Sequence, residues 1–236
     1  MKSIKIPCVG YEIAADWYDG AADNDNVLLV LVGYKSSKAK HAELVAAIVK
    51  KSGYSVLVID YTGHGESPYN LEDLSPAQNF MEVVTAYDWL ADNHPDKTIS
   101  VMGTSYGGFM AIQLTEYRSF KKLVLRVPAI YRPETFYTKW KDMDLEEIRR
   151  SYRTNPKNFI NHPLLKGASA YKGEVYVLTH ELDEACPKPA TSAISEAFGA
   201  ETWEAEGFKH GLHESIYTQE QLEEYQDKIV SWLASK

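Results

Sequence analysis

Short apolar runs of strand length alternate along this chain with longer segments of helical periodicity. "VLLVLV" (27–32), "SVLVID" (55–60), "TISVMG" (98–103), "KLVLRV" (122–127) and "EVYVLT" (174–179) are nearly continuous in β-branched residues and leucine. A sheet with one wet face would alternate apolar and polar positions, so runs of this kind belong to strands covered on both faces. Parallel neighbours need a crossover of a dozen or more residues, which the intervening helical segments supply. The alternation therefore predicts an α/β fold with a mostly parallel central sheet flanked by helices. "TWEAE" (202–206) reads as a weaker sixth strand, and "YEIAADWY" (11–18) as an antiparallel edge strand paired with the N-terminal segment.

The helical segments carry their own signals. Ser75 followed by Pro76 supplies an N-cap and a first-turn proline, after which Phe80, Val83, Val84, Tyr87 and Leu90 mark one apolar face. Leu222, Tyr225, Ile229, Trp232 and Leu233 do the same near the C-terminus. Chains of 236 residues often form one α/β domain around one core, so residues 1–236 are read as a single unit. One stretch interrupts it. Residues 130–172 carry Tyr131, Phe136, Tyr137, Trp140, Tyr152 and Phe159. A structureless loop of that length is uncommon in a compact domain, so the stretch is expected to hold helices of its own, such as "DLEEIRRSY" (144–152), and to form a small helical lid.

Hydrophobic residues at 44% and charged residues at 25% match a folded globular chain and exclude disordered or fibrous classes. A formal charge of −8 argues against a nucleic-acid partner, which calls for clustered Lys and Arg. No run approaches the roughly 20 apolar residues of a membrane span, and the first residues lack a long apolar h-region, so the chain is expected in the cytoplasm. Its two cysteines, Cys8 and Cys186, have no metal-site spacing and are expected to be free.

"GTSYG" (103–107) has the spacing G-x-S-x-G. Such a match arises by accident in roughly one chain of this length in ten at average glycine usage, so its surroundings decide. It follows a buried strand directly and opens a helical segment, the strand–turn–helix context in which a serine is presented as a nucleophile. Glycine at 103 and 107 leaves room where a sharp turn brings backbone close, and the Tyr106 amide falls at a helix N-terminus, where negative charge is favoured. Ser105 is the candidate nucleophile.

A nucleophilic serine needs a base and a carboxylate to orient that base. "GFKHGLHES" (207–215) offers His210 on a loop beside Gly211, and His213 nearer the last helix. "THELDEACP" (179–187) follows a strand and offers Asp183, with Glu181 and Glu184 as alternatives. An oxyanion hole needs a second N–H, expected after the strand 27–32, which is the Tyr34 amide beside that of Tyr106. His64 in "GHGES" (63–67) precedes the serine and reads as part of a shaped loop. "HELDE" (180–184) lacks the second histidine of a zinc-binding helix, and no phosphate-cradling G-x-x-x-x-G-K-[ST] occurs.

Taken together, "VLLVLVGY", "VLVIDYTGHGES", "ISVMGTSYGGFMA", "VLTHELDEACP" and "GFKHGLHES" resemble the α/β-hydrolase superfamily across nearly the whole chain. The elbow "GTSYGGFMA" is similar to that of prolyl-oligopeptidase-type catalytic domains. "HGLHES" resembles the end of monoacylglycerol-lipase-like serine hydrolases, where the first histidine acts, and this favours His210. The family's frequent His-Gly before the oxyanion residue is Val32-Gly33 here. The resemblance implies the α/β-hydrolase fold and acyl transfer to water by a serine hydrolase with the triad Ser105, Asp183 and His210, read as carboxylesterase-like. A peptidase, thioesterase or lipase would use the same triad, and a non-catalytic ligand-binding relative is the competing class. The resemblance implies no metal or organic cofactor and a small-molecule ester substrate, and the aromatic residues of 130–172 suggest an apolar acyl or aryl group in the pocket.

Overall fold

The computed structural model describes residues 1–212 and 216–235. Eight strands, β1 (Lys2–Cys8), β2 (Tyr11–Tyr18), β3 (Asn26–Leu31), β4 (Ser55–Ile59), β5 (Thr98–Thr104), β6 (Lys122–Arg126), β7 (Glu174–His180) and β8 (Glu201–Ala205), form one sheet. Their order is β1-β2-β4-β3-β5-β6-β7-β8. β1 and β2 pair antiparallel as the edge hairpin expected from sequence, β2 joins β4 antiparallel, and all pairings from β4 to β8 are parallel. The apolar runs locate their strands to within a residue at each end. β4 and β6 are buried throughout and β3 nearly so, which is the double coverage their composition demanded.

The helices are α1 (Ala42–Ser52), α2 (Pro76–Asn93), α3 (Tyr106–Leu114), α4 (Leu145–Glu147), α5 (Pro163–Lys166), α6 (Lys188–Phe198) and α7 (Gln219–Ala234). α1 packs against α7, and α2 against α3. α2 starts at Pro76 behind a capping box in which the Gln78 side chain accepts the Ser75 amide. That reciprocal bond satisfies amide donors which an uncapped first turn leaves orphaned. Among the described residues no helix is long and apolar enough to cross a membrane. Cys8 and Cys186 are free thiols.

Between β6 and β7 the chain runs through short 3-10 turns, α4, a π turn over Ile148–Tyr152, and α5. Helical structure is present as expected, but the aromatic residues mostly face inward. Tyr131, Trp140, Tyr152 and Phe159 are buried in the main hydrophobic core, together with Ile148 and Leu164, while Tyr137 is exposed. The Trp140 ring packs 4.5 Å from Tyr34, 5.0 Å from Tyr106 and 5.8 Å from Tyr131. These side chains extend the core, so the aromatic density of the segment reflects burial.

Candidate active site

Ser105 joins β5 to α3 in a conformation that side chains rarely adopt, with φ 53° and ψ −111°. Such a backbone costs of order 1–3 kcal/mol and persists only where surroundings impose it. Here the Ser105 amide donates to the Arg126 carbonyl at 2.9 Å, and the Ser105 carbonyl accepts the amides of Ala129 (3.0 Å) and Phe109 (3.2 Å). The adjacent glycines are explained by space. A Cβ on Gly103 would overlap the Gly107 carbonyl, one on Gly107 would overlap the Leu31 carbonyl, and one on Gly108 would lie 2.9 Å from Pro128 Cα.

The turn aims Ser105 Oγ at Nε2 of His210, 3.0 Å away, and His210 Nδ1 lies 2.7 Å from Asp183 Oδ2. A proton on Nδ1 serves the carboxylate and leaves Nε2 to accept from the serine. Asp183 Oδ1 accepts the amides of Ala185 and Cys186, each at 2.8 Å. Burial acts to raise the Asp183 carboxyl, yet the bonds from His210 and the two amides together hold it below its ordinary value. The alternatives Glu181 and Glu184 are exposed, and Glu181 Oε2 accepts the Gly207 amide. His213 lies outside the described residues.

Of the two candidate oxyanion donors, one follows the serine directly in the chain and the other follows Gly33. Tyr106 is the first residue of α3, and its amide belongs to the turn whose N–H groups lack helical acceptors. Gly33 lies against Ser105, so close that a Cβ there would be 3.7 Å from Ser105 Cβ. This brings the Gly33-Tyr34 step beside the nucleophile position. His64 is buried, faces the Thr62 carbonyl through Nδ1 at 3.2 Å and stacks on Tyr106. Its loop wraps the Asp60 carboxylate, which accepts the amides of Lys38 (2.6 Å) and Glu66 (3.0 Å).

A cleft of about 470 Å³ opens at Ser105 and His210. Its lining mixes the apolar Leu44, Leu212 and Leu222 with Lys40, His41, Arg126 and Glu43. No residue of 130–172 lines this cleft, whose mixed lining lies on the α1 and α7 side; Glu146, Arg149 and Arg150 of that segment line a second cleft that also reaches His210. Sequence reasoning missed Arg126 and His41. The available signal was a charge at the end of the otherwise apolar run "KLVLRV".

Asp183, Cys186 and His210 also place one ligand-type atom each within 4.8 Å of the others. The thiol is pushed up to about 12 by burial, and metal ligation uses the thiolate. His210 Nδ1 and Asp183 are already engaged with each other. The donor set therefore suits the hydrogen-bonded relay better than a metal centre.

The fold recurs in proteins of known structure. Est1E from Butyrivibrio proteoclasticus, described with ferulic acid bound, is 15% identical with a TM-score of 0.74, covering 98% of this chain and 97% of that one. An esterase from Exiguobacterium antarcticum is 16% identical with a TM-score of 0.73, covering 100% of both chains. The monoacylglycerol lipase of Paleococcus ferrophilus is 18% identical with a TM-score of 0.71, covering 94% of this chain and 98% of that one. At these identities the likeness establishes the fold. No curated protein matches the chain by sequence. The family model for serine aminopeptidase, S33, matches residues 22–156, a span that includes Gly33, Ser105 and Tyr106, with Asp183 and His210 beyond it. Matched over more than half its length and built on the same sheet, the chain belongs to the S33 serine aminopeptidase family of α/β-hydrolases.

Proposed function

We propose that the protein is a serine hydrolase that cleaves carboxylic esters through an acyl-enzyme intermediate. The observation that carries this reading is the unbroken relay from Ser105 Oγ through His210 to Asp183, at 3.0 and 2.7 Å, starting from a serine held on a strained elbow. In this mechanism Ser105 Oγ attacks the ester carbonyl as His210 Nε2 takes its proton. The amides of Tyr106 and Tyr34 receive the developing oxyanion, and His210 returns the proton to the departing alcohol. A water activated by the same imidazole then frees the acid. Asp183 holds the ring with Nδ1 protonated and stabilises the imidazolium that forms. Every step uses side chains, backbone amides and water.

An aminopeptidase must bind the free amino group of its substrate, which calls for an anionic pocket. The cleft at Ser105 presents Lys40 and Arg126 with Glu43 as its one lining acid, and this favours an ester of an acid over an N-terminal amide. The lining leucines, Leu44, Leu212 and Leu222, suit an apolar acyl or aryl portion. The 130–172 segment, as a lid, borders the other side of His210 through Glu146, Arg149 and Arg150, with Glu184 in the same cleft.

A fluorophosphonate probe tests the reading. Mass spectrometry is expected to place the label on Ser105, and Ser105→Ala is expected to lose both label and turnover of 4-nitrophenyl acetate. Triad members act as a unit, so the loss is of order 10⁴–10⁶ in rate. An Ala variant with wild-type turnover, free of contaminating esterase, overturns the proposal.

A further inference from the structure

We propose that Arg126 forms a carboxylate-binding subsite beside Ser105, so that the esters cleaved here carry a carboxylate. The proposal rests on the serine-hydrolase reading above and names its substrate class.

Arg126 ends β6, is 9% exposed and lines the cleft that holds Ser105 and His210. Its carbonyl accepts the Ser105 amide, so its backbone is tied to the nucleophile position. Among the described residues no carboxylate forms an ion pair with its guanidinium, and its Nε is buried without an acceptor. The other buried cations of this fold are all partnered. Lys38 pairs with Asp16 and Glu66, Lys122 donates to the carbonyls of Trp232 and Ser235, and Arg153 donates to those of Ile130 and Ala185. Arg126 has the Tyr225 ring 6.0 Å away, a contact that offers its five N–H donors no acceptor.

The unpartnered atoms cluster. Six buried side-chain polar atoms lack a partner among the described residues, and three of them, Arg126 Nε, His41 Nε2 and Thr104 Oγ1, belong to side chains lining this one cleft. Buried polar groups are ordinarily satisfied, and a guanidinium left unpaired is costly. A bound carboxylate supplies the missing acceptor in the planar, two-pronged geometry that arginine matches. Thr104 Oγ1 adds a donor. His41 faces the Ser37 carbonyl with Nδ1 at 3.1 Å, which leaves Nε2 as an acceptor for a substrate hydroxyl or water. The site is positive at the heart of a chain of net charge −8, and Glu43, the lining acid, is exposed.

The test uses ester pairs in which a free carboxylate is replaced by its neutral methyl ester. In the acyl arm, 4-nitrophenyl hydrogen glutarate is compared with its methyl-capped diester. In the alcohol arm, 4-acetoxybenzoate is compared with methyl 4-acetoxybenzoate. A charge-assisted pair of this kind corresponds to roughly 10- to 100-fold, so in one arm the charged member is expected to exceed its capped partner by at least tenfold in kcat/KM. Arg126→Gln is expected to erase that ratio and Arg126→Lys to retain part of it. Because the ratio is taken within one protein, a loss of folded enzyme cancels. Equal rates for charged and capped esters in both arms, or a ratio that survives Arg126→Gln, overturn the subsite. Turnover of the capped esters reports the hydrolase separately. If no ester is cleaved at all, calorimetry on Ser105→Ala decides the subsite. Binding of monomethyl glutarate but not dimethyl glutarate, lost in Ser105→Ala/Arg126→Gln, supports it, and absence of that binding overturns it.

Discussion

The imidazole of His180, at the end of β7, is hydrogen-bonded through Nδ1 to the carbonyl of Lys209, the residue immediately before His210. Its Nε2 accepts the Tyr225 hydroxyl at 2.9 Å, and its own carbonyl accepts the Asp183 amide at 3.3 Å. One buried residue thus fixes both the loop that carries the candidate base and the turn that carries the candidate acid. We expect His180→Phe, which keeps a ring but removes both side-chain bonds, to lower kcat with little change in KM. A misplacement of about 1 Å typically costs on the order of 100-fold. His180→Asn, which keeps a donor, is expected to lose less. Steady-state kinetics on variants with wild-type melting behaviour provide the check, and an unchanged kcat in folded His180→Phe removes the positioning role.

The same histidine gives the fold an acid sensitivity. His180 and His41 are each pushed down from 6.5 to about 4, first by burial and then by the positive charge of Arg126. Between about pH 6.5 and 4 the unfolded chain takes up protons that the folded chain refuses, so stability falls as pH drops through that window. The full effect is of order 3 kcal/mol for each histidine. Asp183, held below its ordinary value, stabilises the fold above the unfolded carboxylate pKa. That contribution is lost as pH falls through its folded pKa, below the histidine window. Urea titrations at several pH values from 7 to 4 are expected to show declining midpoints, with a slope reduced by about one proton in His41→Gln and in His180→Asn. Identical slopes in wild type and variants contradict the assignment.

The elbow should tolerate no added carbon at Gly107, where a Cβ would overlap the carbonyls of Leu31 and Val32. Both belong to the β3 end, which cannot yield without disturbing the sheet. Gly107→Ala is expected to cost more than the roughly 1–3 kcal/mol typical of overpacking, because the obstacle is backbone. Gly199→Ala is the control. That glycine has positive φ but open space around it, so its cost is conformational alone and smaller. Thermal melts of both variants decide the matter, and equal losses would show that the Leu31 and Val32 carbonyls give way to the added carbon.

Sheet, hairpin and elbow were legible because each is written in a local pattern. Apolar continuity marks strands buried on both faces, and glycine at 103 and 107 marks a turn with no room for a Cβ. The carboxylate beside His210 was less legible. Glu181, Asp183 and Glu184 fall on one short turn, and which of them points inward depends on the amides of Ala185 and Cys186. Arg126 was illegible as a binding residue because its meaning lies in the lack of a partner, a property set by every element around it. The aromatic stretch 130–172 shows a further limit. Composition reports that such side chains are buried, but the core under Trp140 is assembled from Tyr34, Tyr106 and Tyr131, which sequence alone cannot bring together.

That packing gives the segment a part in the stability of the fold. Trp140 is 3% exposed, and its amide donates to the Leu74 carbonyl at 2.9 Å. Truncating a buried tryptophan costs about 3–5 kcal/mol, which for a chain of this size lowers the melting temperature by at least roughly 6 °C. Trp140→Ala is therefore expected to lose stability first. Trp140→Phe is expected to be mild, because the buried indole Nε1 has no acceptor among the described residues and its removal strands no partner. Calorimetry that finds Trp140→Ala as stable as wild type would remove this part in the core.

Two histidines three residues apart compete for the part of base. His210 is within hydrogen-bond reach of both Ser105 Oγ and Asp183 Oδ2 and is the residue whose loop His180 fixes. A base must touch the proton it removes, so geometry precedes any other criterion. His210→Ala is expected to abolish ester turnover, by the order of 10⁴–10⁶ typical of triad members, while His213→Ala is expected to leave a readily measured fraction. Fluorophosphonate labelling should follow the same order, since the serine reacts through the same activation. Ester kinetics on the two purified variants separate the possibilities. If His213→Ala is inert and His210→Ala turns over, the relay through His210 is not the one that works, and the ester mechanism built on it falls with it.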